Sequence, residues 1–208
     1  MEDKTRQSFT PDDYEIIKRD VLHDGFFRLV RNHIRHKKYD QSWSGEFSRE
    51  ILERPSAVGV LPYDPERDQV VLIEQFRAGA TNGTDIPWLI EIIAGIYRDH
   101  DNPEDIIFQE SQEEGGLELL DLQPVTDYFV SPGGSDEYFY LYCGRVNAEN
   151  AGGIFGLDDE NEDIRAFAVS FDEAFNMMCR GEIKTAPAII ALQWLKINHE
   201  WLRELWLK

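Results

Sequence analysis

The acids in the segment 95–117, GIYRDHDNPEDIIFQESQEEGGL, are spaced so that a helix would gather several of them on one side. Asn102-Pro103 reads as an N-cap followed by a proline at the first helical position, and Gly115-Gly116 as a left-handed stop, so about three turns of helix are predicted between them. At roughly 100° per residue, Ile106, Ile107, Glu110, Glu113 and Glu114 share a sector of about 120°. The acids therefore fall on the apolar face. Carboxylates turned inward repel one another and lose hydration, at a cost of several kcal/mol per ion unless a cation compensates. A hard divalent cation such as Mg²⁺ suits them, because it takes oxygen ligands, keeps waters and bridges to substrate phosphates. A solvated acidic helix with a ragged apolar stripe is the competing interpretation of the segment alone.

Such a helix needs sheets to lie on, and the flanking sequence supplies them. Residues 14–54 contain short stretches of partly alternating apolar and polar residues, which predict a small antiparallel sheet. From Ala57 the apolar runs become denser: AVGVLPYD and DQVVLIEQFR, joined by the turn-forming residues 64–68, read as central strands of a second sheet. WLIEIIAG, residues 88–95, reads as one further apolar strand running into the acidic segment. LQPVTDYFVS and EYFYLYCGRV follow as strands, separated by SPGGSD (131–136), which is either a plain turn or a ligand-contacting loop. Residues 150–163, NAGGIFGLDDENED, read as an acidic loop too polar to pack. The strand IRAFAVS and two stretches of helical spacing, from Phe171 and Ala186, complete an α/β or α+β arrangement with helices packed on sheets. There is no internal repeat and no low-complexity segment.

Composition narrows the function classes. With 208 residues, 42% of them hydrophobic and 12% aromatic, the chain has material for a real core. A net charge of -19 disfavours nucleic acid or an anionic membrane as partner. A small anionic substrate is still compatible, since a few local arginines and a metal decide the field inside a cleft. The N-terminal residues lack the apolar run of a signal peptide, and no stretch approaches the roughly 20 apolar residues of a membrane span, so a cytoplasmic location is expected. Cys143 and Cys179 have no CxxC or Cys/His neighbourhood, and both are expected to be buried apolar residues.

Gly95, Asp101, Gln109-Glu110, Glu113-Glu114 and Gly116-Leu117 resemble, in unbroken register, the Nudix box G-x5-E-x7-R-E-U-x-E-E-x-G-U. Beyond the box, REILER (49–54), VLIEQFR (71–77), PWLIEIIAG (87–95), SPGGSDE (131–137) and GLDDENEDI (156–164) resemble the bacterial ADP-ribose pyrophosphatases, and the likeness runs from about residue 14 to 195. The resemblance implies a Nudix α/β/α sandwich with a mixed sheet over 55–208, preceded by an N-terminal β-sheet region, 1–54, that is exchanged in a homodimer. It implies cleavage of ADP-ribose to AMP and ribose 5-phosphate with Mg²⁺, or Mn²⁺, and an activated water. Glu110 and Glu114 would be metal ligands, with Glu113 close by and the backbone carbonyl of Ala94 as another. Of the acidic loop, Glu160 would act as base on the water and Glu162 would be catalytic and metal-associated. Composition alone favours reading DDENED as a solvated loop, and only the resemblance reverses that. Arg49 and Arg77 match arginines that hold the pyrophosphate, Phe26 an aromatic that stacks on adenine, and Glu137 a further acid near the site.

Three positions depart from the box: Asp101 for its first glutamate, Gln109 for its arginine, and Ser111 for an aliphatic residue. Gln109 retains hydrogen bonding but supplies no charge to orient the carboxylates, and such a loss of support costs about 10-fold to 100-fold in metal affinity or activity. Two other functions stay open: a catalytically silent Nudix-fold nucleotide binder, and a hydrolase of another nucleoside diphosphate sugar such as GDP-mannose.

Overall fold

The computed structural model describes residues 9–83, 85–98, 102–157 and 161–208. The chain divides into two compact units, Met1–Arg54 with Phe129–Glu137, and Pro55–Tyr128 with Tyr138–Lys208. The first unit is an antiparallel sheet in the order β1 (Tyr14–Asp24), β2 (Arg28–His36), β3 (Phe47–Glu53). Register shifts between Ile16 and Lys18 and between Val21 and His23 mark irregularities in the β1–β2 ladder. The segment 129–137 joins this sheet through Leu52, whose N–H donates to the Gly134 carbonyl at 2.8 Å. Val30 is the one buried residue among the described residues of this unit.

The second unit is built on β4 (Ser56–Asp64), β5 (Gln69–Phe76), β8 (Asp121–Phe129), β9 (Tyr138–Arg145), β10 (Gly152–Phe155) and β11 (Ile164–Ser170), in the order β10-β11-β5-β4-β9-β8. The pairing of β4 with β9 is parallel and the other registered ladders are antiparallel, so the sheet is mixed. Alternation along each strand sends its side chains to two separate cores. Leu61, Tyr63, Val70 and Leu72 pack with Leu141, Cys143 and the helices α2 (Phe171–Cys179) and α3 (Ala186–Trp206). Val58, Val60, Val71 and Ile73 pack on the opposite face with Ile107 of α1 (Pro103–Gly115). This unit therefore has α1 on one face of the sheet and α2 with α3 on the other, as the resemblance implied.

Three sequence expectations need correction. WLIEIIAG is two strands: β6 (Trp88–Glu91) pairs with β5, and after Ile92 the chain passes to β7 (Ile93–Tyr97), which pairs with β4. The apolar run continues through Ile92, so the change of partner leaves no mark in the hydrophobic pattern. Part of the segment 150–163, expected to be a loop, is strand β10, paired with β11. Its Phe155 covers Gly116, where a Cβ would meet the ring within 2.6 Å, so a polar stretch is anchored by its one aromatic. Finally, Cys143 is buried but Cys179, at the end of α2, is exposed.

Candidate active site

Helix α1 begins as its cap residues dictate. The Asn102 side chain accepts from the Glu104 N–H, Pro103 occupies the first turn, and Gly116 takes the left-handed conformation at φ 60 that ends the helix. The side facing the sheet buries Ile107, Ser111 and Glu114, while Glu110 and Glu113 are half-buried beside them. Glu114 is only 4% exposed and accepts from the Ala94 N–H at 3.1 Å, which ties the helix to β7. Glu110 lies directly over Gly95: a Cβ there would come within 2.6 Å of the Glu110 Cγ. The glycine that opens the box thus makes room for a carboxylate.

Desolvation is the main cause that pushes the Glu114 carboxyl up to about 8, and the negative charges of Glu110 and Glu162 push it further. The Ala94 N–H and the positive charge of Arg77 pull the other way. Glu110, Glu162 and Arg77 are therefore all in electrostatic reach of one buried carboxyl. The last turn of α1 contains no basic residue, and Glu113 and Glu114 stand where the helix dipole is already negative. Two surpluses of negative charge coincide. Among the described residues no three His, Cys, Asp or Glu side chains are close enough to hold an ion outright. The donor set nevertheless fits a hard divalent cation in its chemistry, being carboxylate oxygens whose ionised forms need positive charge nearby.

The loop following β10 is tied to the end of α1. The Gly156 N–H donates to the Glu113 carbonyl at 3.2 Å, and the Leu157 N–H donates to the Glu162 carboxylate at 3.3 Å. Gly156 has φ +105, and a Cβ on it would meet the Glu162 Cβ at 2.7 Å. Glu162 is thereby held beside the helix acids. Glu160, expected as base, and Asp101 lie outside the described residues. At the departed position Gln109 donates from Nε2 to Glu113 Oε1 at 3.0 Å, so one carboxylate is braced by a neutral amide.

Arg77 follows β5, and its Nε donates to Glu91 on β6 at 2.7 Å. Glu91 was not anticipated from the sequence as a site residue. Its signal was a lone acid within an apolar strand. The remaining expected residues belong to the N-terminal unit. Phe26, in the turn between β1 and β2, is 78% exposed, with the edge of Phe27 against it. Arg49 on β3 donates to the Ser48 carbonyl at 2.8 Å and lies over the Phe47 ring. Glu137 pairs with Arg54 at 3.2 Å; burial raises its carboxyl, partly offset by Arg54. The structure thus gathers Ala94, Glu110, Glu113, Glu114, Glu162 and Arg77 in one unit and places Phe26, Arg49 and Glu137 in the other.

Comparison with known proteins adds a family to this geometry. The chain is 43% identical over 199 residues to the ADP-ribose pyrophosphatase of Escherichia coli (strain K12), covering 96% of this chain and 95% of the relative. It is 39% identical over 203 residues to the ADP-ribose pyrophosphatase of Haemophilus influenzae, covering 96% and 94%. To the GDP-mannose pyrophosphatase of Enterobacter sp. (strain 638) it is 36% identical over 192 residues, covering 88% and 95%. A solved structure described as an ADP compounds hydrolase shares the fold, with a TM-score of 0.69 at 15% identity, over 96% of this chain and 99% of that one. The sequence model of the NUDIX domain matches residues 53–189, which include α1, its carboxylates and the acidic loop, and the chain belongs to the Nudix family.

Proposed function

We propose that the protein hydrolyses the pyrophosphate bond of ADP-ribose, releasing AMP and ribose 5-phosphate, with Mg²⁺ or Mn²⁺ as cofactor. The observation that carries this reading is the buried Glu114, which feels the negative charges of Glu110 and Glu162 and the positive charge of Arg77. Such a cluster repels a pyrophosphate unless a cation intervenes, and a divalent ion would neutralise charge on the phosphates and polarise a water. Glu110, Glu114, Glu162 and the Ala94 carbonyl are the groups proposed to hold it, with Glu113 alongside. Names of relatives at up to 43% identity supply the choice of ADP-ribose as substrate.

The chain's own residues then divide the work. Arg77 offers guanidinium N–H groups to pyrophosphate oxygens, a pairing that suits the planar fork. Glu160 accepts the proton of the attacking water, and Glu162 keeps the loop end near the metal ligands. Phe26, Arg49 and Glu137 complete the substrate cleft of a second subunit in a homodimer, Phe26 by stacking on adenine and Arg49 by holding the pyrophosphate. The exposure of Phe26 and of Ile16, Val21 and Leu22 on β1 supports an apolar surface awaiting a partner. No helix among the described residues is long and apolar enough to cross a membrane. A cytoplasmic site of action is part of the proposal.

The test is incubation with Mg²⁺ or Mn²⁺ and ADP-ribose, ADP-glucose or GDP-mannose, with products resolved chromatographically. Formation of AMP and ribose 5-phosphate from ADP-ribose is expected. Failure to form AMP overturns the reading, and turnover of GDP-mannose alone replaces its substrate. Retention of full rate by Glu160→Gln removes the assigned base.

A further inference from the structure

We propose that Glu91 is the positioning residue of Arg77, holding its guanidinium by Nε so that the two terminal nitrogens face the substrate phosphates. The inference rests on the role proposed for Arg77 above. Its geometric basis is the contact at 2.7 Å between Arg77 Nε and Glu91 Oε2. Nε is the nitrogen at the root of the fork, and no hydrogen bond from the terminal nitrogens occurs among the described residues. The Glu91 side chain is 14% exposed and that of Arg77 44%, so the acid is the fixed partner and the base the presented one.

The backbone explains why the pair is available. Glu91 lies opposite Ile73 in the β5–β6 ladder, and Ile73 belongs to the core beneath α1, so Glu91 points to the face that bears the carboxylate cluster. Arg77 lies four residues after Ile73, with its N–H bonded to the Pro87 carbonyl at 2.8 Å, closing the β5–β6 hairpin. Arg77 also acts electrostatically on Glu114. Without Glu91, the buried Glu114 is an acid within electrostatic reach of this arginine, and a guanidinium drawn to it would compete with the cation. Glu91 therefore both aims Arg77 and keeps it off Glu114. An exposed ion pair with no such duty leaves substrate binding untouched, so KM separates the two roles.

The deciding experiment is a double-mutant cycle of Glu91→Ala and Arg77→Ala in the full chain, with Glu91→Gln as the conservative variant. Three quantities are read: KM and kcat for ADP-ribose with Mg²⁺, and the Kd of ADP-ribose by calorimetry in EDTA. Glu91→Ala is expected to raise KM about 10-fold to 100-fold while kcat changes less, as befits lost orientation of a binding group. Glu91→Gln, which retains an oxygen acceptor, recovers most of that loss. In the Arg77→Ala background, Glu91→Ala adds less than about 2-fold, since nothing is left to position. Equal cost of Glu91→Ala with and without Arg77 overturns the inference, as does an unchanged KM. If wild-type protein forms no AMP, the proposed reaction fails, and the metal-free Kd cycle still decides whether Glu91 acts through Arg77.

Discussion

The two units of this chain are stabilised by different means. In the N-terminal unit Val30 is the single buried residue among those described, and its sheet displays Ile16, Ile17, Val21 and Leu22 to solvent. What laces its strands together is backbone pairing and surface charge: Arg31 with Glu50 at 2.6 Å, Arg35 with Glu15 at 2.7 Å, and Arg19 with Glu53. The second unit has two cores, one on each face of its sheet. Charge differs as well, since the N-terminal unit has 11 of the 21 basic residues but only 13 of the 40 acids. Nearly all of the net charge of -19 therefore belongs to the unit with the carboxylate cluster. A three-stranded sheet with one buried side chain is marginal on its own. The contrast teaches that the Nudix unit contains its own stability, whereas the N-terminal sheet has apolar surface left to bury.

The contrast is most easily broken at the cores. Leu192→Ala, in the core between the sheet and α3, is expected to cost about 2–5 kcal/mol by urea unfolding. Val30→Ala should cost less, about 1–2 kcal/mol; equal penalties would show that the N-terminal sheet has a core of comparable worth. Glu114→Gln sharpens the difference between stability and function. With EDTA present, the folded state retains the Glu114 proton up to about 8, whereas an unfolded glutamate loses it near 4.5. Stability from this group is thus full below 4.5 and is lost as the pH rises through about 8. Glu114→Gln should flatten that fall in Tm while lowering turnover of ADP-ribose by at least ~100-fold. A Tm profile in EDTA that stays unchanged would remove the buried charge from the account.

Smaller effects refine the picture. Ser111 is fully buried and its hydroxyl has no hydrogen-bond partner among the described residues, at a box position where the pattern asks for an aliphatic residue. Ser111→Ala should therefore raise stability by about 1 kcal/mol in chemical denaturation. Lys18→Ala, which removes an exposed pair with Asp20 at 2.7 Å, should change stability by less than about 0.5 kcal/mol. A larger loss would mean that surface charge does more for the N-terminal sheet than its exposure suggests.

The sequence was most legible where local chemistry has one solution. Asn102, Pro103 and Gly116 bound α1 because caps act within a turn, and the spacing of Ile107 and Glu114 already turns them to one side. Less legible was the exchange of strand partners at Ile92, since pairing is a long-range property that alternation does not record. Phe155 was hidden for a similar reason: its anchor, Gly116, is remote in sequence. For Cys179 residue type favours burial, but its place at the end of α2 leaves it outside. Glu91 is illegible in the sequence because its meaning depends on Arg77, fourteen residues earlier.

The passage of the chain from β6 to β7 at Ile92 has a bearing on which lengths of this segment evolution can tolerate. Residues 88–91 carry Glu91 to the strand that ends at Arg77, and residues 93–97 carry Ala94 and Gly95 beneath α1. One inserted or deleted residue between them would reverse the outward and inward sense of everything on one side of the change. Either the arginine would lose its brace or Glu110 would meet a side chain in place of Gly95. Length in this stretch is therefore as constrained as the identities of Glu91 and Gly95, because eight consecutive residues, 88–95, set the spacing between two halves of the candidate site.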